Sequence, residues 1–285
     1  MRIPAILFCL VALFALSHRA RAAESYANCT GTVTSLPQTI TTPGVWCLKQ
    51  TLAYASTTSN ALVIAADNVT LDCNDFTISA PPNSSSTAIG IYGTDRLNTT
   101  VRHCNVQNFF KGIFLHSTGA GGGHVVEDNT FGASFSIGIQ VEGDGSIVRR
   151  NIVFAVGSSG SLSLIGIRAA GSVNITDNTI DGVDATVGSG SSAYGIYTTG
   201  NPDGTIDGNR VRNLFKDGAG KIYGIFNASS GRISIRDNDL FGDGSKGSTG
   251  VACTDAAARA KNNMINGFAT PLLHCGKAGE NDVAH

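Results

Sequence analysis

A unit of the form apolar-x-x-Asn-x-apolar recurs from residue 71 to residue 265, and this repetition constrains the fold more than any other feature of the chain. Eight copies can be written. Leu71, Val101, Val126, Val148, Ile175, Ile206, Ile235 and Ala260 fill the first apolar position, and Phe76, Val106, Phe131, Val153, Ile180, Val211, Leu240 and Ile265 fill the last. Between them stand Asn74, Cys104, Asn129, Asn151, Asn178, Asn209, Asn238 and Asn263. Asparagine tolerates positive φ better than other residues with a side chain, and stacked amides hydrogen-bond from one repeat to the next. A second motif recurs out of phase: Gly90-Ile91, Gly112-Ile113, Gly138-Ile139, Gly166-Ile167, Gly195-Ile196, Gly224-Ile225 and Gly250-Val251. Successive polar positions lie 22 to 31 residues apart, which suits a coil of three short strands and three connections. Leucine-rich repeats share this period but need a leucine consensus that is missing here. Propellers need four strands per blade and usually a longer repeat. The expected fold is all-β: a single-stranded parallel β-helix of about eight to nine rungs with an N-terminal cap, and parallel crossovers favour the right hand.

Composition agrees with this reading. Glycine supplies 35 of 285 residues, and charged residues are only 14%, so turns are frequent and long polar helices are disfavoured. Residues 1–22 have the form of a signal peptide, with Arg2, an apolar run from Ile3 to Leu16, and Ala20-Arg21-Ala22 at the cleavage site. Fourteen apolar residues fall short of the roughly 20 that span a bilayer, and no later stretch is apolar enough, so no membrane span is expected. Loss of the leader leaves 17 basic against 21 acidic side chains, a balance that disfavours nucleic acid as a partner. Six cysteines remain, an even number that suggests disulfides in a secreted or periplasmic protein. Fifteen pairings are formally open. Neighbouring rungs favour Cys29 with Cys47, Cys73 with Cys104, and Cys253 with Cys275.

Residues 23–60 depart from the repeat and read as an N-terminal cap with a first irregular coil. Regular winding is expected from Leu62-Val63-Ile64, the parallel β-helix covering 61–275 and a C-terminal tail 276–285. With the segment Asn68-Val69-Thr70-Leu71-Asp72-Cys73-Asn74 in its first coil, the chain resembles bacterial right-handed parallel β-helix repeat proteins of the pectate-lyase-like superfamily. The resemblance covers roughly residues 29 to 275. It implies the fold more than an activity, because lyases, hydrolases, epimerases, adhesins and binding proteins share this scaffold.

Larger insertions fall between each turn and the following Gly-Ile strand, at Ser79–Ala88, Ala155–Leu164, Asp181–Tyr194, Asn213–Tyr223 and Phe241–Thr249. They are expected to project beside the Gly-Ile strands, which in the resembled lyases border the substrate cleft. Alternation along a strand turns Ile91 and its equivalents inward and their neighbours outward, giving a stripe of Tyr92, Phe114, Gln140, Arg168, Tyr197, Phe226 and Ala252. Aromatic rings beside a glycine floor could stack on sugars, and Gln140 with Arg168 could bind hydroxyls or a carboxylate. The plainer alternative is wall covering, with glycine relieving crowding at the strand entrance.

Catalytic chemistry is not evident. The stripe carries no Asp or Glu, Glu142 stands alone two residues beyond Gln140, and Arg168 suits anion binding better than proton abstraction. Asp181, Asp184, Asp203 and Asp207 could form a calcium loop, although Asp-Gly is common turn chemistry, and no other cofactor is implied. Lys111, His116 and His124 flank an early rung with no triad spacing. Cys73, His103 and Cys104 offer soft metal ligands, but a disulfide is favoured in an exported chain and no metal site is assigned. Asp72, Arg102, Glu127 and Arg149 alternate in charge as a ladder of exposed ion pairs. The functional expectation is a protein that binds, and in one version processes, a polysaccharide or other glycan in a groove along the Gly-Ile strands. A lyase acting on uronate polymers and a non-catalytic structural or adhesive surface protein are the alternatives.

Overall fold

A computed structural model describes residues 28–157, 163–186, 190–200, 203–277 and 279–284; the expected leader, residues 1–22, lies outside the described residues. The described chain is all-β and winds through three parallel sheets of eleven, ten and ten strands. Each coil visits them in one order. A strand of the turn sheet, such as Thr100–Arg102, passes through the polar corner into a second sheet, Asn105–Gln107, and then into the Gly-Ile sheet, Lys111–His116. No helix among the described residues is long and apolar enough to cross a membrane.

Register accounts for both motifs. From Leu71 to Ala260 the first apolar residues pair one above another in the turn sheet, all of them fully buried. Isoleucines 91, 113, 139, 167, 196 and 225, with Val251, form the matching column of the Gly-Ile sheet. In the second sheet the column is Ile78, Val106, Phe131, Val153, Ile180, Val211, Leu240 and Ile265. Ile78 stands where Phe76 was expected, because the first turn is two residues longer than the others. Asn74 correspondingly lies outside the amide ladder and donates instead to the carbonyl of Leu48. Cys73 takes the place beside Cys104.

The glycines of the Gly-Ile pairs face the core, so they form no floor on the outer surface. A Cβ on Gly112 would lie 2.6 Å from Phe131 Cδ1 and 2.6 Å from the Gly138 carbonyl, and Gly90 meets Val106 in the same way. The second-sheet column fills the space that a side chain would need, which is the crowding explanation.

Winding extends beyond the expected limits at both ends. Strands Gly31–Val33, Gln38–Ile40, Gly44–Leu48 and Leu52–Ala53 join the three ladders before Leu62. Gly276–Lys277 and Asp282–Ala284 extend two ladders past Cys275. At the start, the Trp46 ring lies against the Cα of Gly31 and packs on the core. Three disulfides join Cys29–Cys47, Cys73–Cys104 and Cys253–Cys275, the chemistry of an oxidising environment.

The expected projecting insertions are partly absorbed into longer strands. Ile152–Gly157, Thr179–Ala185 and Arg210–Lys216 lengthen in the second sheet, and Ser163–Ala170 and Ser192–Thr199 in the Gly-Ile sheet. Ala155, Gly182 and Asn213 adopt positive φ at equivalent places, bending all three lengthened strands alike.

Candidate functional site

Because the Gly-Ile strands are in register, Tyr92, Phe114, Gln140, Arg168, Tyr197, Phe226 and Ala252 stand in one column. Five rung steps separate Tyr92 from Phe226, about 24 Å at the usual strand spacing. Two flanking columns share this face. Ile89, Lys111, Ile137, Ile165, Tyr194 and Tyr223 run along the entering ends of the strands. Thr94 and His116, then Glu142, Ala170 and Thr199, run along the leaving ends.

Polar groups meet in the middle of the face. Lys111 Nζ donates to Gln140 Oε1 at 2.8 Å and lies 4.0 Å from the centroid of Phe114. Gln140 Nε2 donates to Glu142 Oε1 at 2.6 Å, and the other oxygen of Glu142 contacts His116 Nδ1 at 2.5 Å and accepts from the Ser117 N–H at 3.2 Å. Gln140 is only 2% exposed, so it orients Lys111 and Glu142 from beneath. Burial, and next the charge of Arg168, lower the Lys111 pKa to about 8, while Glu142 opposes the shift. The Nε of Arg168 is buried without a hydrogen-bond partner.

Aromatic rings occupy both flanks. Tyr92 and Phe114 lie 5.8 Å apart, Phe114 and His116 5.0 Å apart, and the Tyr92 hydroxyl bonds Thr94 Oγ1. On the other flank Tyr194 and Tyr223 stack at 5.2 Å and 11°, and Tyr223 stacks on Phe226 at 4.8 Å and 18°. Tyr197 meets Phe226 edge-on at 5.6 Å. Burial, and secondarily Tyr223, raise the Tyr194 pKa and keep its phenol neutral.

Beyond the leaving ends of the strands, an open cleft of about 560 Å³ is lined by Ser117 to Gly123, Glu142 to Asp144 and Gly171. Glu142 belongs to both features and joins the cleft to the polar centre.

Strand alternation found the central column but not its partners. Lys111, His116 and Glu142, which seemed unconnected, are joined through Gln140 on this face. Applying the same alternation to the whole six-residue strand would have placed His116 and Glu142 in one column. His124 lies elsewhere, 1% exposed, accepting from the Thr99 N–H at Nδ1. The aspartates considered for calcium are dispersed: Asp181 pairs with Arg212, Asp203 with Arg232 and Asp207 with Arg236, while Asp184 accepts from Thr186. Cys73 and Cys104 are disulfide-bonded, which removes them as metal ligands beside His103. In the charged ladder, Asp72 pairs with Arg102 and Glu127 with Arg149.

Residues 87–269 match the family described as right handed beta helix region, and the chain belongs to that family. No curated protein matches it significantly. Among solved structures it is similar to the catalytic domain of a GH87 alpha-1,3-glucanase, one variant in complex with tetrasaccharides and another in complex with nigerose. Identities are 13% and 14%, with TM-scores of 0.30 and 0.29. These matches cover 85% of this chain but 63% and 62% of those domains, so the chain spans less than two thirds of their length. The likeness is one of fold alone.

Proposed function

We propose that this protein is exported and binds a polysaccharide along the outer face of its Gly-Ile sheet. The observation that carries the reading is the register itself, which sets aromatic rings on both flanks of a polar centre in a single stripe. A sugar ring offers C–H groups on its faces and hydroxyls at its edges, and rings flanking polar groups match that division. Wall covering alone explains rings over the core, but gives no reason for a buried glutamine to orient a lysine between them. Tyr197→Ala and Phe226→Ala are each expected to weaken glycan affinity about tenfold, the worth of one lost ring contact. Calorimetric titration of the mature protein against polysaccharides checks this, and unchanged affinity in both variants would leave the structural reading in its place. With Asp181, Asp203 and Asp207 committed to arginines, calcium is expected to make no difference to the titration.

One arrangement favours a second reading, cleavage of the bound polymer: on the same face Lys111, whose pKa burial lowers to about 8, reaches Glu142 through Gln140, and Glu142 meets His116, so that a proton acceptor and a carboxylate share the groove. New reducing ends, abolished by Lys111→Met, would establish it.

A further inference from the structure

We propose that the outer face of the second sheet, a different face from the Gly-Ile stripe, holds a second glycan site, and that its ligand is an uncharged polysaccharide lying across Phe154, the Asp181–Arg212 pair and Phe215. The site stands on its own residues and does not depend on the Gly-Ile groove.

Bending shapes this face. Ile152–Gly157, Thr179–Ala185 and Arg210–Lys216 stack in register, and positive φ at Ala155, Gly182 and Asn213 turns all three strands at one level, leaving an open groove of about 800 Å³. Five large apolar side chains are exposed among the described residues, and three of them, Ile152, Phe154 and Phe215, line this groove. Apolar groups gathered in one concavity mark a binding surface, where single scattered ones would mean nothing. Gly132 seats the Phe154 ring, since a Cβ there would lie 2.3 Å from Phe154 Cζ.

The centre of the groove selects the ligand. Asp181 and Arg212 follow Phe154 at successive rungs of one outward column. Arg212 donates to Asp181 Oδ2 at 2.7 Å and Asn213 Nδ2 to Oδ1 at 2.6 Å, hydrogen bonds that hold the Asp181 carboxyl below its usual range. The pair has no net charge, so it presents donors and acceptors together, which is what sugar hydroxyls need and what a charged polymer cannot exploit. The phenyl rings on either side suit the C–H faces of the same sugars. A second copy of this chain fits less well. It would strip water from Asp181 and Arg212, whose side chains are 30% and 45% exposed, whereas hydroxyls replace that water with hydrogen bonds.

The full mature chain and its variants are titrated calorimetrically with dextran, pullulan, galactomannan and arabinoxylan, all neutral and soluble. In a Tyr197→Ala, Phe226→Ala background the Gly-Ile face is disabled, and at least one of these polymers should still bind. Adding Phe215→Ala or Arg212→Gln to that background should weaken the remaining binding about tenfold each, the worth of one ring contact or one charge-assisted hydrogen bond. Both side chains are well exposed, far-ultraviolet circular dichroism confirms that each variant is folded, and two independent substitutions keep the result from hanging on either. No binding in the background, or binding that neither substitution weakens, overturns the second site. Neutral polymers that bind the wild type but not the background leave the Gly-Ile groove standing and remove this site alone. Binding that ignores loss of Tyr197 and Phe226 yet falls with Phe215 and Arg212 supports this site and removes the Gly-Ile groove. A wild-type dimer in sedimentation velocity that Phe215→Ala dissociates would give the face to a second copy and overturns the glycan assignment.

Discussion

His124 shows how a single side chain can carry a pH dependence far from the groove. Its ring is buried at the entrance to the Val125–Glu127 strand, Nδ1 accepts from the Thr99 N–H, and Nε2 has no partner. Desolvation alone lowers its pKa to about 4. An unfolded chain protonates this histidine near its ordinary pKa of 6.5, whereas the folded chain holds it neutral to about 4. Between those values the unfolded state binds more protons, so stability must fall as pH falls, with a contribution from this group on the order of 2 to 3 kcal/mol. His124→Asn keeps an acceptor for Thr99 but cannot titrate. Urea unfolding at pH 6.5 and pH 4.5 should therefore show a smaller acid loss in the variant than in the wild type, even if the variant is less stable at both. Equal losses would mean that carboxylates alone govern acid unfolding, among them Asp128 and Asp181, whose pKa values are lowered first of all by hydrogen bonds from Arg150 and Arg212.

At the scale of elements, the asparagine corner is a ladder running from Asn129 to the last coil. From Asn129 through Asn151, Asn178, Asn209, Asn238 and Asn263 to Asn281, each side-chain Nδ2 donates to the Oδ1 of the next asparagine and each Oδ1 also accepts the preceding backbone N–H. Asn209 in addition donates to the Ile175 carbonyl at 2.8 Å. Replacing it with alanine orphans the buried Asn178 N–H and removes one acceptor from the Asn178 amide, which keeps its bonds to the Val148 and Thr176 carbonyls, and one donor from the Ile175 carbonyl, for roughly 2 to 4 kcal/mol. Asn281 closes the ladder where solvent reaches it, and its own bond to the Ala260 carbonyl is long, at 3.5 Å. Asn281→Ala should cost about 1 to 2 kcal/mol. Chemical denaturation of the two variants compares them, and equal costs would show that the ladder is no more than a row of turns. The corner was legible in the sequence because it repeats, and so was the inward isoleucine column. The two extra residues at the first turn were not, since only rung pairing distinguishes Ile78 from Phe76. Nor was the inward direction of the glycines, because each glycine and the isoleucine after it are both buried, against strict strand alternation. For the same reason the central stripe could be read from sequence while its network could not. Lys111 and Gln140 are 29 residues apart, His116 and Glu142 26, and only the stacking of rungs makes them neighbours.

At the scale of the molecule, a solenoid gains stability mainly from contacts between adjacent coils, so its ends are the places from which it loosens. The covalent links follow that logic. Cys29–Cys47 and Cys73–Cys104 lie in the first coils and Cys253–Cys275 in the last, while residues 105–252 carry no cysteine. The central rungs have neighbours on both sides, a continuous amide ladder and the longest strands, whereas the last coil has a short strand, Gly276–Lys277, and an exposed one, Asp282–Ala284. Cys253–Cys275 closes a loop of 22 residues, a constraint worth roughly 2 to 4 kcal/mol. That constraint should act locally, because stability in a stack is approximately a sum over neighbours rather than a property of the whole. The Cys253→Ser, Cys275→Ser double variant is therefore expected to speed amide hydrogen exchange in Thr270–Leu273 and Asp282–Ala284 by about tenfold or more, with the strands from Val125 to Asp207 keeping wild-type protection. The face that carries Lys111, Gln140, Glu142 and Arg168 lies in this protected stretch and its lower edge, so glycan affinity should also survive loss of the terminal disulfide. A uniform rise in exchange along the chain would instead mean that the helix unfolds as one cooperative block, and that the end disulfides hold the groove as well as the ends.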